Sequence, residues 1–142
     1  MSEEGRFVDN KDGTITDIKT NLMWTKTDTM NDLKKWCCYQ DCLDYVRQLR
    51  ENKFAGYDDW RLPTRDQMST LYNIMFSNKD VYGKEVHISN KFERGGGFTI
   101  IAEVVAGRAR TCVLNIREGT YEDPDGLWTL SEASRGVRKF NS

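Results

Sequence analysis

Hydrophobic and polar positions follow three different rhythms along the chain. In "FVDNKDGTITDIKTNLMW", Phe7 to Trp24, short alternating runs flank Asn10-Lys11-Asp12-Gly13. That cluster is turn chemistry with Gly13 able to take positive φ, so the segment predicts a hairpin followed by a third short strand ending at Trp24. From Thr29 the period lengthens. Trp36, Tyr39, Leu43, Val46 and Leu49 fall at three- and four-residue steps, which predicts an amphipathic helix beginning near Trp36 and stopping toward Gly56. After Pro63, Thr64 and Gln67 stand as in a capping box, and a second helix is expected to pack Met68, Leu71, Ile74 and Met75. Ser77 to Gly97 is rich in Asn, Lys, Asp and Gly without a sustained period, and predicts a long loop. Alternation returns in "FTIIAEVV", "RTCVLNI" and "GVRKF", predicting a C-terminal antiparallel sheet. Two helices between strand-rich ends give an α+β layout.

Between the helices lies "AGYDDWRLPT", Ala55 to Thr64. A connection is usually polar, yet this one holds an aromatic that favours burial and a guanidinium that needs a carboxylate or carbonyl. It predicts a packed structural corner in which Asp59, Trp60 and Arg61 are structural: Gly56 turns the chain, Trp60 fills the space between helix and sheet, Arg61 bridges to a carboxylate or to carbonyls within the fold, and Pro63 sets the next helix.

The 142 residues, 38% of them hydrophobic, suit one domain, expected over 6–140. Lys plus Arg number 21 against 22 Asp plus Glu, a net charge of -1, so no overall basic field favours nucleic acid. No apolar run is long enough to span a membrane, and "MSEEGRF" lacks a signal-peptide layout, so a cytoplasmic location is expected. Cys37, Cys38, Cys42 and Cys112 fit reduced thiols there. On a helix Cys38 and Cys42 would share a face, but two thiolates without a second ligand pair do not make a metal site. His87 lies alone in the polar stretch. No metal and no cofactor are therefore expected.

"DGTITD…LMW" and "AG..DWRLPT", in this order and separation together with the helix from Trp36 and the closing "GVRKF", resemble the DUF1566 family, the Legionella collagen-like protein C-terminal domain. The resemblance covers nearly the whole chain and implies a C-type lectin-like fold, shared with formylglycine-generating enzymes and with the variable proteins of diversity-generating retroelements. It also implies a twisted antiparallel sheet, two flanking helices and a long irregular ligand-facing region. Two stretches depart from the family pattern, "FTIIAE" after the loop and "GVRKFN" at the end.

The paired cysteines of the formylglycine-generating enzymes do not carry over, because Cys37 and Cys38 are expected in a helix and Cys112 alone on a strand. A catalytic acid–base pair is not apparent either. "YEDPDG", Tyr121 to Gly126, holds three acids that calcium would accept, but it reads more simply as a turn. A non-enzymatic binding module remains. Its expected face is built from Ser77 to Gly97 and Glu118 to Arg135, with Tyr121 and Trp128 as apolar anchors and Arg108, Arg110 and Arg135 as a polar rim. A protein partner is the first reading. A glycan or other polyanion, or surface display, is the second, and a formylglycine-generating-type oxidoreductase is an outsider.

Overall fold

The computed structural model describes residues 5–103, 112–122 and 132–139. Its architecture is α+β, with antiparallel sheets and few helices. The first sheet has strands β1 (Phe7–Asp9), β2 (Thr14–Asp17), β3 (Leu22–Thr25) and β9 (Val137–Lys139), in that order. Phe7 pairs with Asp17, Ile15 with Trp24, and Trp24 in turn with Val137. The N-terminal hairpin is as the turn chemistry predicts. The closing strand is not: "GVRKF" completes the N-terminal sheet, where Val137 meets Trp24, and does not extend the C-terminal one.

That C-terminal sheet is β6 (Thr99–Ile101), β7 (Val113–Asn115) and β8 (Thr120–Glu122). The third strand, unforeseen, follows a turn closed by Gly119 N–H donating to the Asn115 carbonyl at 2.7 Å. Between the two sheets lies a core of Phe7, Ile15, Trp24, Met68, Leu71, Ile100 and Leu114. A second cluster of Cys37, Cys42, Val46, Leu62 and Ile101 seats the long helix.

The helical region corrects the sequence reading in two places. The run from Thr29 is broken into α1 (Thr29–Leu33) and α2 (Tyr39–Glu51). Asp28 caps α1 by accepting from Asn31 N–H at 2.9 Å, and Lys34 ends it in the left-handed region. Trp36 and Cys37 therefore precede α2, and Cys38 is its N-cap. Helix α3 (Arg65–Ser69) is a single capped turn. Met68 and Leu71 are buried as expected, but Ile74 and Met75 are 63% and 79% exposed, because the helix ends before its periodicity can carry them inward.

Ser77 to Gly97 is not a structureless loop. Strands β4 (Asn78–Lys79) and β5 (Glu85–Val86) form a short hairpin, and Val86, Ile88 and Phe92 join the main core. The Asn78 side-chain amide donates to the carbonyls of Ser89 and Phe92, both at 3.0 Å, replacing the ladder this irregular backbone lacks.

Candidate functional site

The segment from Asn78 to Phe98 is displayed by close backbone approaches. Gly95 N–H donates to the Lys79 carbonyl at 2.8 Å and Val81 N–H to the Gly96 carbonyl at 2.7 Å, so residues 79–81 lie alongside 95–96. A Cβ at Gly96 would meet Asp28 Oδ2 at 2.6 Å, and one at Gly97 would meet the Ala133 methyl at 2.7 Å and the Trp36 ring at 3.1 Å. Packing thus requires Gly96 and Gly97 of the "RGGG" run, and a φ of +86° favours glycine at Gly95. Asp28 ties the run to α1, accepting from Gly97 N–H at 2.9 Å.

This paired segment borders an open groove of about 410 Å³, whose lining includes Asp9, Lys26, Lys79, Lys91, Phe92, Glu93 and Arg94. Lys26 pairs with Asp9 at 3.1 Å. The Lys11 backbone amide, and after it the Lys26 ammonium, hold Asp9 below the ordinary carboxylate pKa. Lys79, Lys91 and Arg94 have no ion pair among the described residues, so the groove presents uncompensated positive charge beside two acids.

The same segment carries an aromatic platform. Trp36 packs edge-on against Phe98, with ring centres 5.1 Å apart, and its indole N–H donates to the Tyr82 hydroxyl at 2.9 Å. Tyr82 is 59% exposed. The Arg117 guanidinium lies 3.9 Å from the centre of the Phe98 ring and forms an ion pair with buried Asp80 at 2.7 Å. Asp80 in turn accepts from the backbone N–H groups of Tyr82 and Lys84 at 2.9 and 3.0 Å, fixing the turn that presents Tyr82. Tryptophan, tyrosine and arginine held rigidly at a surface are the composition of interface hot spots.

The residues singled out from sequence separate into three groups. Arg135, expected on a polar rim, is only 2% exposed. Its Nη1 donates to the Thr25 and Lys26 carbonyls at 2.9 and 3.1 Å, and its guanidinium packs on Phe92. Burial draws its pKa down against the opposing pull of Asp28. It supports the groove from behind. Tyr121 is exposed on β8, with the Arg65 guanidinium 4.5 Å above its ring. Arg108, Arg110 and Trp128 lie outside the described residues, as does most of "YEDPDG".

In the corner, Trp60 is wholly buried against Phe54 and Tyr57, Asp59 accepts from Arg138 Nε at 2.6 Å, and Arg61 pairs with Glu103. Arg61 also exchanges backbone hydrogen bonds with Val137, locking the corner to β9. Pro63 is buried, and its carbonyl accepts from Glu103 N–H at 2.8 Å. Sequence reasoning missed Trp36, assigned to a helix face, and Tyr82, whose signal was an aromatic inside the polar turn "DVYGK".

The family model for the Lcl C-terminal domain matches residues 13–134, a span from the first turn to the segment before β9. The chain belongs to the Lcl C-terminal domain family. No curated protein and no solved structure matches it. Within this Lcl C-terminal domain no group of three or more His, Cys, Asp and Glu is placed to hold a metal ion among the described residues, and no helix there is long and apolar enough to cross a membrane. His87 is tied into the fold, its Nδ1 lying 2.9 Å from the Phe76 carbonyl.

Proposed function

We propose that this Lcl C-terminal domain is a non-catalytic binding module that engages a protein partner through the face carried by residues 78–98. The observation that carries this reading is the packed platform of Trp36, Tyr82 and Phe98, braced by the Asp80–Arg117 pair, on the same segment that also supplies Lys79, Lys91 and Arg94 to the groove. Partly exposed aromatics already packed on one another lose little entropy on binding, and the groove cations steer an acidic surface during encounter. A C-type lectin-like fold is the accompanying structural proposal. It is supported by the family and by the antiparallel sheet that unites the chain's first and last strands.

A polyanionic glycan is the second reading, favoured by Lys79, Lys91 and Arg94, which line the groove without an ion pair among the described residues. Affinity capture from the native host with the parent, with Tyr82→Ala and with Lys79→Glu/Arg94→Glu decides between the two. A protein retained by the parent and lost with Tyr82→Ala supports the first. Retention on a sulfated polysaccharide column that is insensitive to Tyr82→Ala but abolished by the charge reversals supports the second. A partner that all three forms retain equally places the contact elsewhere and refutes the assigned face.

A further inference from the structure

Turn centres usually carry polar residues, Gly or Pro. The two turns flanking β4 depart from that rule in the same way. In the turn at 73–76, Phe76 N–H donates to the Asn73 carbonyl at 2.8 Å and Met75 N–H to Asn73 Oδ1 at 2.9 Å. In the turn at 80–83, Gly83 N–H donates to the Asp80 carbonyl at 2.9 Å and Tyr82 N–H to Asp80 Oδ1 at 2.9 Å. Each turn is thus fastened twice by its first residue, and each places apolar side chains at its two centres. These are Ile74 and Met75 in the first and Val81 and Tyr82 in the second, all four exposed. The first turn is also tied at both ends to His87, just past β5. Asn73 N–H donates to the His87 carbonyl at 3.0 Å, and the Phe76 carbonyl lies 2.9 Å from His87 Nδ1. Its exposed tip is therefore held from both sides, as the Tyr82 tip is.

We propose that Ile74 and Met75 are a second apolar anchor for the protein partner engaged by the Tyr82 platform, so that the contact face extends to residues 73–76. This rests on the reading of residues 78–98 as that face and deepens it. Met75 and Val81 are joined by at most about 20 Å of extended chain, so both tips fit beneath one standard interface of about 800 Å² per partner. The rest of the hairpin surface points to the kind of partner. Ser77, Lys79, Lys84 and Glu85 are exposed on it, and the Ser77 hydroxyl donates to Glu85 Oε2 at 2.7 Å. Opposite charges and hydroxyls around apolar tips are the rim of a protein contact, whereas an anionic bilayer selects a wholly basic surround. A second copy of the chain fits poorly, because the groove beside the hairpin is lined mainly by charged side chains and does not complement apolar tips. The partner therefore carries two apolar recesses, one for each turn, no more than about 20 Å apart.

The test places the photo-crosslinker p-benzoylphenylalanine in the full chain, expressed in its native host, at Met75, at Tyr82 and, as a control, at exposed Gln48 on α2. Mass spectrometry identifies what each position captures. The expected result is one protein cross-linked from both Met75 and Tyr82 and not from Gln48. With that protein purified, Ile74→Ser/Met75→Ser should bind it about tenfold more weakly, or worse, at an unchanged melting temperature. Met75→Ser alone, at the more exposed position, replaces the double variant if the latter melts lower. Adducts from Tyr82 alone keep the platform and overturn the second anchor, as does unchanged affinity in the serine variants. Adducts from Met75 alone, or of different proteins at the two positions, overturn the shared contact. A second copy of this chain or a lipid captured at Met75 overturns the choice of partner. Adducts from neither position overturn the platform reading together with this one.

Discussion

Trp60 donates its indole N–H to the Phe54 carbonyl at 3.0 Å from a position wholly shielded from water. The bond reaches back across the tight turn that follows α2, so the aromatic that fills the corner also fixes the backbone leading into it. Arg50 completes the clasp by donating to the Trp60 carbonyl at 2.8 Å. Replacing Trp60 by Ala removes the buried ring and one of the donors to the Phe54 carbonyl, which also accepts from Tyr57 N–H at 3.0 Å. A loss of roughly 3 to 5 kcal/mol is expected, the range for large aromatics in cores. Denaturant unfolding checks it; an unchanged midpoint would mean that the ring is dispensable to the corner.

The same turn contains a cleaner backbone test. Gly56 has φ +92°, and a Cβ built there meets nothing within 4 Å. Gly56→Ala should therefore cost only the conformational term, about 1 to 2 kcal/mol. Ala55, two positions from Phe54's predecessor Lys53, already stands at φ 55° and gains from the opposite exchange. Ala55→Gly should be neutral or stabilising by chemical denaturation, and a pair of equally destabilised variants would contradict the backbone assignment.

Arg6 and Asp17 form a buried two-point pair, Nε to Oδ1 at 2.8 Å and Nη2 to Oδ2 at 2.7 Å. Burial by itself raises the Asp17 pKa, but the hydrogen bonds from Arg6 and Thr20 overcome it and the net shift is downward. A carboxylate with a lowered folded-state pKa stabilises the fold above its unfolded value of about 3.9. That contribution is lost as pH falls below this value and through the folded one. Melting curves of the parent should fall in this acid window, and Asp17→Asn should flatten the dependence there while costing about 3 to 5 kcal/mol at neutral pH by removing the carboxylate that pairs with buried Arg6. Equal acid sensitivity in both proteins would assign the transition to other carboxylates.

What could be read from the sequence follows how local each signal is. The hairpin at Asn10 to Gly13 and the inward face of α2 at Tyr39 and Val46 are set by neighbours within a turn or two, so periodicity and turn chemistry reach them. Residues 78–98 are organised otherwise. The Asn78 amide, the Asp28 carboxylate and three glycines replace a repeating pattern with single long-range contacts, which leave no period to detect. The platform was hidden for the same reason, since Trp36 and Tyr82 meet only through the fold. Arg135 shows the limit from the other side. A guanidinium flanked by small residues reads as surface, and the Thr25 and Lys26 carbonyls, with Asp28 and the Phe92 ring, make burial tolerable.

Arg135 consequently belongs to stability. Arg135→Ala should remove donors from both carbonyls and the positive charge near Asp28, at a cost of about 3 to 5 kcal/mol. Circular dichroism melts would register it directly. A variant as stable as the parent would return the residue to the surface role its sequence context suggests.

Tyr82 tests the binding face without touching the core. It stands 59% exposed, and its removal frees the Trp36 indole N–H to water rather than burying it. Tyr82→Ala should leave the melting temperature close to that of the parent while weakening a captured partner by about 2 kcal/mol or more, the magnitude of a hot spot. Lys79→Glu with Arg94→Glu reverses two groove charges at exposed positions, so their effect should fall mainly on the association rate and on its dependence on salt. Surface plasmon resonance across ionic strengths separates the two behaviours. If Tyr82→Ala slows association without changing dissociation, the aromatic is not an anchor, and the electrostatic groove alone carries recognition.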